Sequence, residues 1–234
     1  MLKPKKKIAK REIKEDTLLT AYANATTLYY DYKKYFWNGL TVLAVVIIGL
    51  VFYANNRRSN SEKAASEFGK VFSIYDAAAN DPQQYKVAIN GQPERGIMGL
   101  KGIVDNYGGS DAGELARFYL ASAYYFTGQY DDALAHFDKF SGGTDQLKAS
   151  ALAGMAACYE VKREYGKASS YYEKAARQIS DRISTPEYLS HAARCYGLSG
   201  EKEKAVTLFK KIKKEYPTST AARDADRYIA QFSA

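Results

Sequence analysis

Three stretches of this chain align without a gap: LASAYYFTGQYDDALAHF (120–137), MAACYEVKREYGKASSYY (155–172) and AARCYGLSGEKEKAVTLF (192–209). Each sets a small residue, a tyrosine three positions later, an alanine nine after that and an aromatic four further on. The sets are Ala121/Tyr124/Ala133/Phe137, Ala156/Tyr159/Ala168/Tyr172 and Ala193/Tyr196/Ala205/Phe209, offset by 35 and then 37 residues. A period of this length describes one helical hairpin repeated, each copy burying its apolar face only by stacking on its neighbours. The small residues let antiparallel helices approach closely, the tyrosine and the later aromatic fill the space between successive pairs, and Gly128 and Gly200 suit the tight turn. Cys158 and Cys195 fall where the first copy has Ala123, so they read as small buried residues. Equivalent helices in neighbouring units lie about 8–10 Å apart, beyond what a disulfide tolerates.

These residues resemble the tetratricopeptide repeat, whose helix–turn–helix unit uses this small-x-x-Tyr, Ala and aromatic spacing. Pro217 closes the third copy where that family also favours proline. The departures are a missing signature tryptophan, Arg163 in place of the usual glycine, and Lys202 where the other copies have Tyr130 and Tyr165. The resemblance implies repeats at 112–141, 147–180 and 184–217 and a capping helix at 219–232. A degenerate unit at 61–108 is expected to precede them, its first helix near Ser61 to Ala79, a long loop from Asn80 to Pro93, and a second helix marked by Gly96, Leu100, Ile103 and Tyr107.

Upstream, Phe36 to Ala54 reads FWNGLTVLAVVIIGLVFYA, 19 residues without a formal charge, which matches the hydrocarbon thickness of a bilayer at 1.5 Å per residue. Trp37 and Tyr53 stand at its ends, Val45 at its middle, and Lys33, Lys34, Arg57 and Arg58 bracket it as interfacial residues do. No small-x-small cleavage site follows, so the run reads as an uncleaved anchor and not a signal peptide. The expectation is an all-α chain: a basic cytoplasmic tail at 1–35, a single N-terminal transmembrane helix at 36–54, a linker at 55–60, and a tetratricopeptide-repeat helical solenoid over 61–234.

Of the net charge of +8, residues 1–35 hold +5, from nine Lys/Arg against four Asp/Glu. The rest is mixed in sign, which argues against a nucleic-acid footprint and for a topology signal beside a membrane. Within twenty residues of the span, Arg57, Arg58, Lys63 and Lys70 outnumber Lys33 and Lys34. Over 35 residues the tail prevails, and folded domains translocate largely regardless of charge, so the N-terminus is expected in the cytoplasm. Leu18, Tyr22, Ala25, Tyr29 and Tyr32 fall on one helical face of the tail, a stripe that calls for the membrane surface, another copy or another protein as its cover.

No nucleophile elbow, phosphate loop, dinucleotide fingerprint or two-histidine metal helix is present in the sequence, and two histidines with two cysteines 37 residues apart match no zinc spacing. Asp131 and Asp132 complement a helix dipole, and His136 reads as solvated. The expectation is therefore no enzyme, cofactor, metal or small-molecule substrate, and a role in binding proteins. By the register of the tetratricopeptide family, the groove lies on the first helix of each unit. It is expected to use Leu115, Phe118, Ser122, Tyr125 and Phe126, then Ser150, Ala153, Ala157, Glu160 and Val161, then Glu187, Ser190, Arg194, Gly197 and Leu198. Tyr159 is expected in the core.

The whole layout resembles the YfgM-type family of ancillary subunits of the bacterial SecYEG translocon. That resemblance implies an inner-membrane protein, N-terminus cytoplasmic and repeats periplasmic, whose partners are the Sec translocon and periplasmic chaperones or exported clients. A structural scaffold for cell-envelope assembly is the alternative.

Overall fold

A computed structural model describes residues 10–79 and 81–233, with side chains for all of these except 10–16 and 36. Lys3, Lys5, Lys6 and Lys7 of the basic tail lie outside the described residues, as does the side chain of Phe36. The chain divides into two compact units, one ending at Asn56 and one running from Arg57.

The first unit consists of helix α1 (Lys10–Asp76) as far as Asn56. From Leu18 to Tyr53 its large apolar side chains are exposed, Val45 by 68% and Phe52 by 74%. It is the one helix among the described residues long and apolar enough to cross a membrane, and none of its apolar window is buried. The exposure disfavours a soluble core helix, whose side chains would be covered.

The second unit begins with the end of α1. Residues 55–60, read as a linker, are helical instead, because the stretch contains neither proline nor glycine to stop propagation. Arg58 and Glu62 pair at 3.1 Å one turn apart. Ala64 and Val71 are buried, and Phe68, Phe72 and Tyr75 converge on Tyr119 with ring centroids 4.9 to 5.6 Å apart.

The loop expected from Asn80 to Pro93 is mostly structured. Asp81 accepts the Gln83 backbone N–H at 2.8 Å and Pro82 opens helix α2 (Pro82–Asn90), a start signal that suits an N-cap followed by proline. Strands β1 (Gly91–Gln92) and β2 (Ile97–Met98) then pair antiparallel around a short 3-10 turn. Gly96, assigned above to a second helix, lies in that turn at φ 64°. Helix α3 (Leu100–Tyr107) follows and buries Leu100, Ile103 and Val104.

Six helices then form three hairpins: α4 (Asp111–Phe126) with α5 (Tyr130–Lys139), α6 (Asp145–Val161) with α7 (Tyr165–Gln178), and α8 (Ser184–Leu198) with α9 (Lys202–Glu215), closed by α10 (Thr220–Ser233). Ser110 caps α4 by accepting the Gly113 N–H at 3.0 Å, and Ser219 caps α10 by accepting that of Ala222 at 3.1 Å. The three hairpin turns share one hydrogen-bond pattern: Gln129 N–H donates to Tyr124 O, Glu164 to Tyr159 O and Glu201 to Tyr196 O, all at 2.9 Å. That closure needs a left-handed residue just before it. Gly128 and Gly200 supply it at φ 79° and 93°; Arg163 adopts φ 60° in the same place without a glycine's freedom.

Ala121, Ala156 and Ala193, and likewise Ala133, Ala168 and Ala205, are fully buried, and so are Cys158 and Cys195, which are free thiols. Burial pushes both thiols up to about 12, which leaves them protonated and inert. Tyr124 and Tyr196 are buried, but Tyr159 is not: it lies half-exposed, stacked on Tyr171 at 5.4 Å with Lys167 above its ring. Tyr159 thus sits at the edge of the core, partly buried against the cluster of Ala156, Ala168, Tyr172, Ala192 and Cys195, and not inside it.

Candidate functional site

Of the helices that open each hairpin, α6 contacts α4 on one side and meets α8 on the other through Gln146–Ser184 and Ser150–Tyr188, and over its middle turns it carries small residues between these neighbours. Ser150, Ala153, Gly154 and Ala157 of α6 form the floor of a cavity of about 290 Å³. Phe118, Ser122, Tyr125 and Phe126 of α4 wall one side, Tyr188 and His191 of α8 the other, with Phe137 and Tyr172 beneath. The depression follows from the size difference: an alanine or glycine between two rows of aromatics leaves room that a larger residue would fill. Its close fit is visible at Gly154, where a Cβ would lie 2.4 Å from Cζ of Phe137.

One helical turn further along, a second cavity of about 400 Å³ opens between Tyr125, Ala157, Glu160, Val161, Arg194 and Leu198, with Tyr165, Tyr172 and His191 completing it. Charge enters here as a connected cluster. Arg194 Nη2 donates to Glu160 Oε1 at 2.6 Å, the Tyr172 hydroxyl donates to Glu160 Oε2 at 3.0 Å, and the His191 ring stacks on Tyr172 at 5.0 Å. Burial and the neighbouring Glu160 carboxylate both push the Tyr172 hydroxyl up, so it stays a donor. Burial, with the Arg194 guanidinium second, holds His191 below the usual histidine value, so its ring is neutral near pH 7. Val161 and Leu198, 46% and 49% exposed, form an apolar rim.

Of the residues assigned to the groove from sequence, Phe118, Ser122, Tyr125, Phe126, Ala157, Val161 and Arg194 line these two adjoining cavities. Leu115 does not: it is half-buried one turn before Phe118 and lines neither. Ser190 is buried, and Gly197 is covered by Phe232 of α10, whose Cε1 would sit 2.3 Å from an added Cβ. The N-terminal end is partly occupied from within. Tyr85 stacks on Phe126 at 4.7 Å, and Tyr75, its hydroxyl pushed up to about 12 by burial, packs edge-on against Tyr85 at 5.2 Å. The open portion is therefore centred on α6.

Sequence reasoning missed Tyr172, Tyr188 and His191. A register assigns one face to every equivalent helix, whereas a cavity between neighbours takes one flank from each. Tyr188 and His191 are three residues apart on the flank of α8 that faces α6, and that pairing was the available signal. His136, read as solvated, is half-buried against Tyr124 with a ring distance of 5.5 Å, and its Nδ1 is buried without a hydrogen-bond partner. A larger opening of about 610 Å³ lies beside the Pro93–Gly99 turn, lined by Ile89, Pro93, Ile97 and Met98 together with Gly96, Gly99 and Gly102, and by Glu67, Asn90, Lys101 and Asp105. Among the described residues no group of three or more His, Cys, Asp or Glu is placed to hold a metal.

A family model described as tetratricopeptide repeat matches residues 115–141 and 187–219. These segments cover the first and third hairpins; the second hairpin lies between them with the same turn. The chain thus carries tetratricopeptide repeats, a fold unit whose general role is to bind proteins. No curated protein matches the chain.

Proposed function

We propose that this protein is a single-pass membrane-anchored adaptor that captures another protein through the cavities over α6, and that it performs no catalysis. The observation that carries this reading is the row of small residues on α6 set between the aromatics of α4 and α8: a depression of about 290 Å³ suits an apolar side chain projecting from a peptide. The charged cluster at Glu160 and Arg194 borders it and fixes which flanking polar groups fit. The apolar run of α1 supplies the anchor, with Trp37, Tyr53 and Ala54 toward its ends and Val45 at its middle. The order of tail, span and repeats, read with the resemblance noted above, supports a bacterial inner-membrane protein with cytoplasmic N-terminus and periplasmic repeats. Its partners on this reading are the Sec translocon and periplasmic chaperones or exported clients.

Filling the cavity tests the binding reading. Ala157→Phe places a ring in the space without removing any core contact, and Val161→Asp puts a charge on the rim. Photocrosslinking in intact membranes from a probe at Ala153 should capture translocon or chaperone components with the parent chain and lose them in both variants. Capture of folded envelope proteins alone would replace the export role with scaffolding; unchanged capture in both variants would move the site away from α6. Protease added to spheroplasts should digest the repeats while a tag before Lys33 survives, and the reverse pattern would exclude a periplasmic role.

A further inference from the structure

We infer that the segment of α1 before the apolar run is a self-association surface, on which two or more copies of this chain pack as parallel helices. The inference rests on the membrane-anchor part of the reading above and is independent of the cavities over α6.

Residues 17–35 form part of one unbroken helix with the apolar run. Written as heptads, Tyr22 and Tyr29 take position a, and Leu18, Ala25 and Tyr32 take position d. Leu19, at e, and Leu28 and Tyr35, at g, widen the same face. Every c and f position is polar: Thr17, Thr20, Asn24, Thr27, Asp31 and Lys34. The side chains on the apolar face are exposed, Leu18 by 70% and Tyr22 by 71%, and such a face in water needs a cover. Thr26 and Thr27 turn their hydroxyls onto the Ala23 carbonyl at 2.9 and 2.8 Å, so they make little polar demand on that cover.

Three observations choose a copy of the same helix over a lipid surface. An interfacial helix relies on Lys and Arg along its polar face, but Thr17 to Tyr32 contains neither and has an acid, Asp31. A helix lying on the bilayer must also bend before it enters, and α1 continues through Tyr35 and Trp37 as helix. Third, a, d and g carry no charge between Thr17 and Tyr35 and e carries only Lys33, so identical parallel helices meet without opposed like charges. A 3.5-residue period is the one that supercoiled helices require.

Two and a half heptads are too short to hold copies together in free solution. Anchoring raises the effective concentration and forces the tails to the same height and direction. The apolar e and g residues make the face broader than the narrow seam of a two-stranded coil, so it can cover one copy or more.

Single cysteines report the register, because the native Cys158 and Cys195 are buried and protonated. In isolated membranes bearing the full-length chain, oxidation of Ala25→Cys (position d) should give covalent dimers at least ~5-fold more readily than Thr27→Cys (position f). Tyr22→Ser with Tyr29→Ser should abolish the difference, and native mass spectrometry in mild detergent should show at least two copies. Equal crosslinking at both positions, an Ala25→Cys adduct to a different protein, or a monomeric mass would each overturn the proposal. Carbonate extraction of the same variants reports the anchor separately: loss of the chain from the membrane pellet would refute the anchor, while retention with no crosslink refutes only self-association.

Discussion

Arg194 on α8 closes onto Glu160 on α6 with 2.6 Å between Nη2 and Oε1, while the other oxygen of the same carboxylate accepts the Tyr172 hydroxyl from α7 at 3.0 Å. One side chain thereby joins three helices from two repeats at the edge of the candidate site. Arg194 and Glu160 side chains are 31% and 21% exposed, so solvent screens the pair and its contribution is modest. Arg194→Ala should lower stability by about 1 kcal/mol, and a double-mutant cycle with Glu160→Gln should show a coupling of roughly 0.5–1.5 kcal/mol. Urea denaturation of the four proteins measures both; no coupling would mean the contact is a surface coincidence.

The left-handed turn residue of the second hairpin is the one that departs from glycine. At φ 60° Arg163 adopts a conformation that Gly128 and Gly200 hold at equivalent points, and a left-handed non-glycine residue costs on the order of 1–2 kcal/mol. Arg163→Gly should stabilise the domain by about 1 kcal/mol, discounted for the greater freedom of glycine in the unfolded chain. A higher urea midpoint with unchanged slope is the expected result.

Gly154→Ala should do the opposite. The added methyl carbon meets the Phe137 ring at 2.4 Å, and that ring is buried, with Phe118 at a ring distance of 5.9 Å, so relief requires moving core side chains at about 1–3 kcal/mol. A second change, Phe137→Leu, should recover part of the loss by vacating the space. Thermal melts of the single and double variants separate this steric account from a general intolerance of change on α6.

Acidification should destabilise the repeats before the carboxylates titrate. His191 and His136 both have values held below their ordinary 6.5, chiefly by burial. The unfolded chain binds the proton first, so stability is complete above about pH 6.5 and declines as pH falls toward the depressed values. His191→Gln should flatten that decline below about pH 6.5. Melting temperature against pH, for the parent and variant, is the measurement.

The repeat was legible from small and aromatic residues at fixed offsets because burial in a helical hairpin demands particular sizes at particular positions, and a linear pattern records size. Ala121, Ala133 and Phe137 are buried as their spacing requires. The register implied by the resemblance assigned Phe118, Tyr125, Ala157 and Arg194 to a groove, and these four line the two adjoining cavities. The spacing held only in part at Tyr159, which packs on the core from its edge beside Lys167 and Tyr171, and it erred at the stretch after residue 80, where the Asp81–Pro82 helix start was hidden among turn-forming residues.

The sequence by itself determined the apolar run from Phe36 to Ala54, the period of the hairpins and the left-handed requirement at their turns, because each depends on residues close together in the chain. Only the tertiary structure decided that Tyr85 and Tyr75 fill the N-terminal end of the groove, that Phe232 covers Gly197, and that Tyr188 and His191 complete a cavity whose floor is α6. Those relations join residues from different hairpins, from the capping helix, or from the irregular segment between Arg57 and the first hairpin. They depend on how neighbouring helices are offset and which flanks they present, a distance in space that no local periodicity encodes.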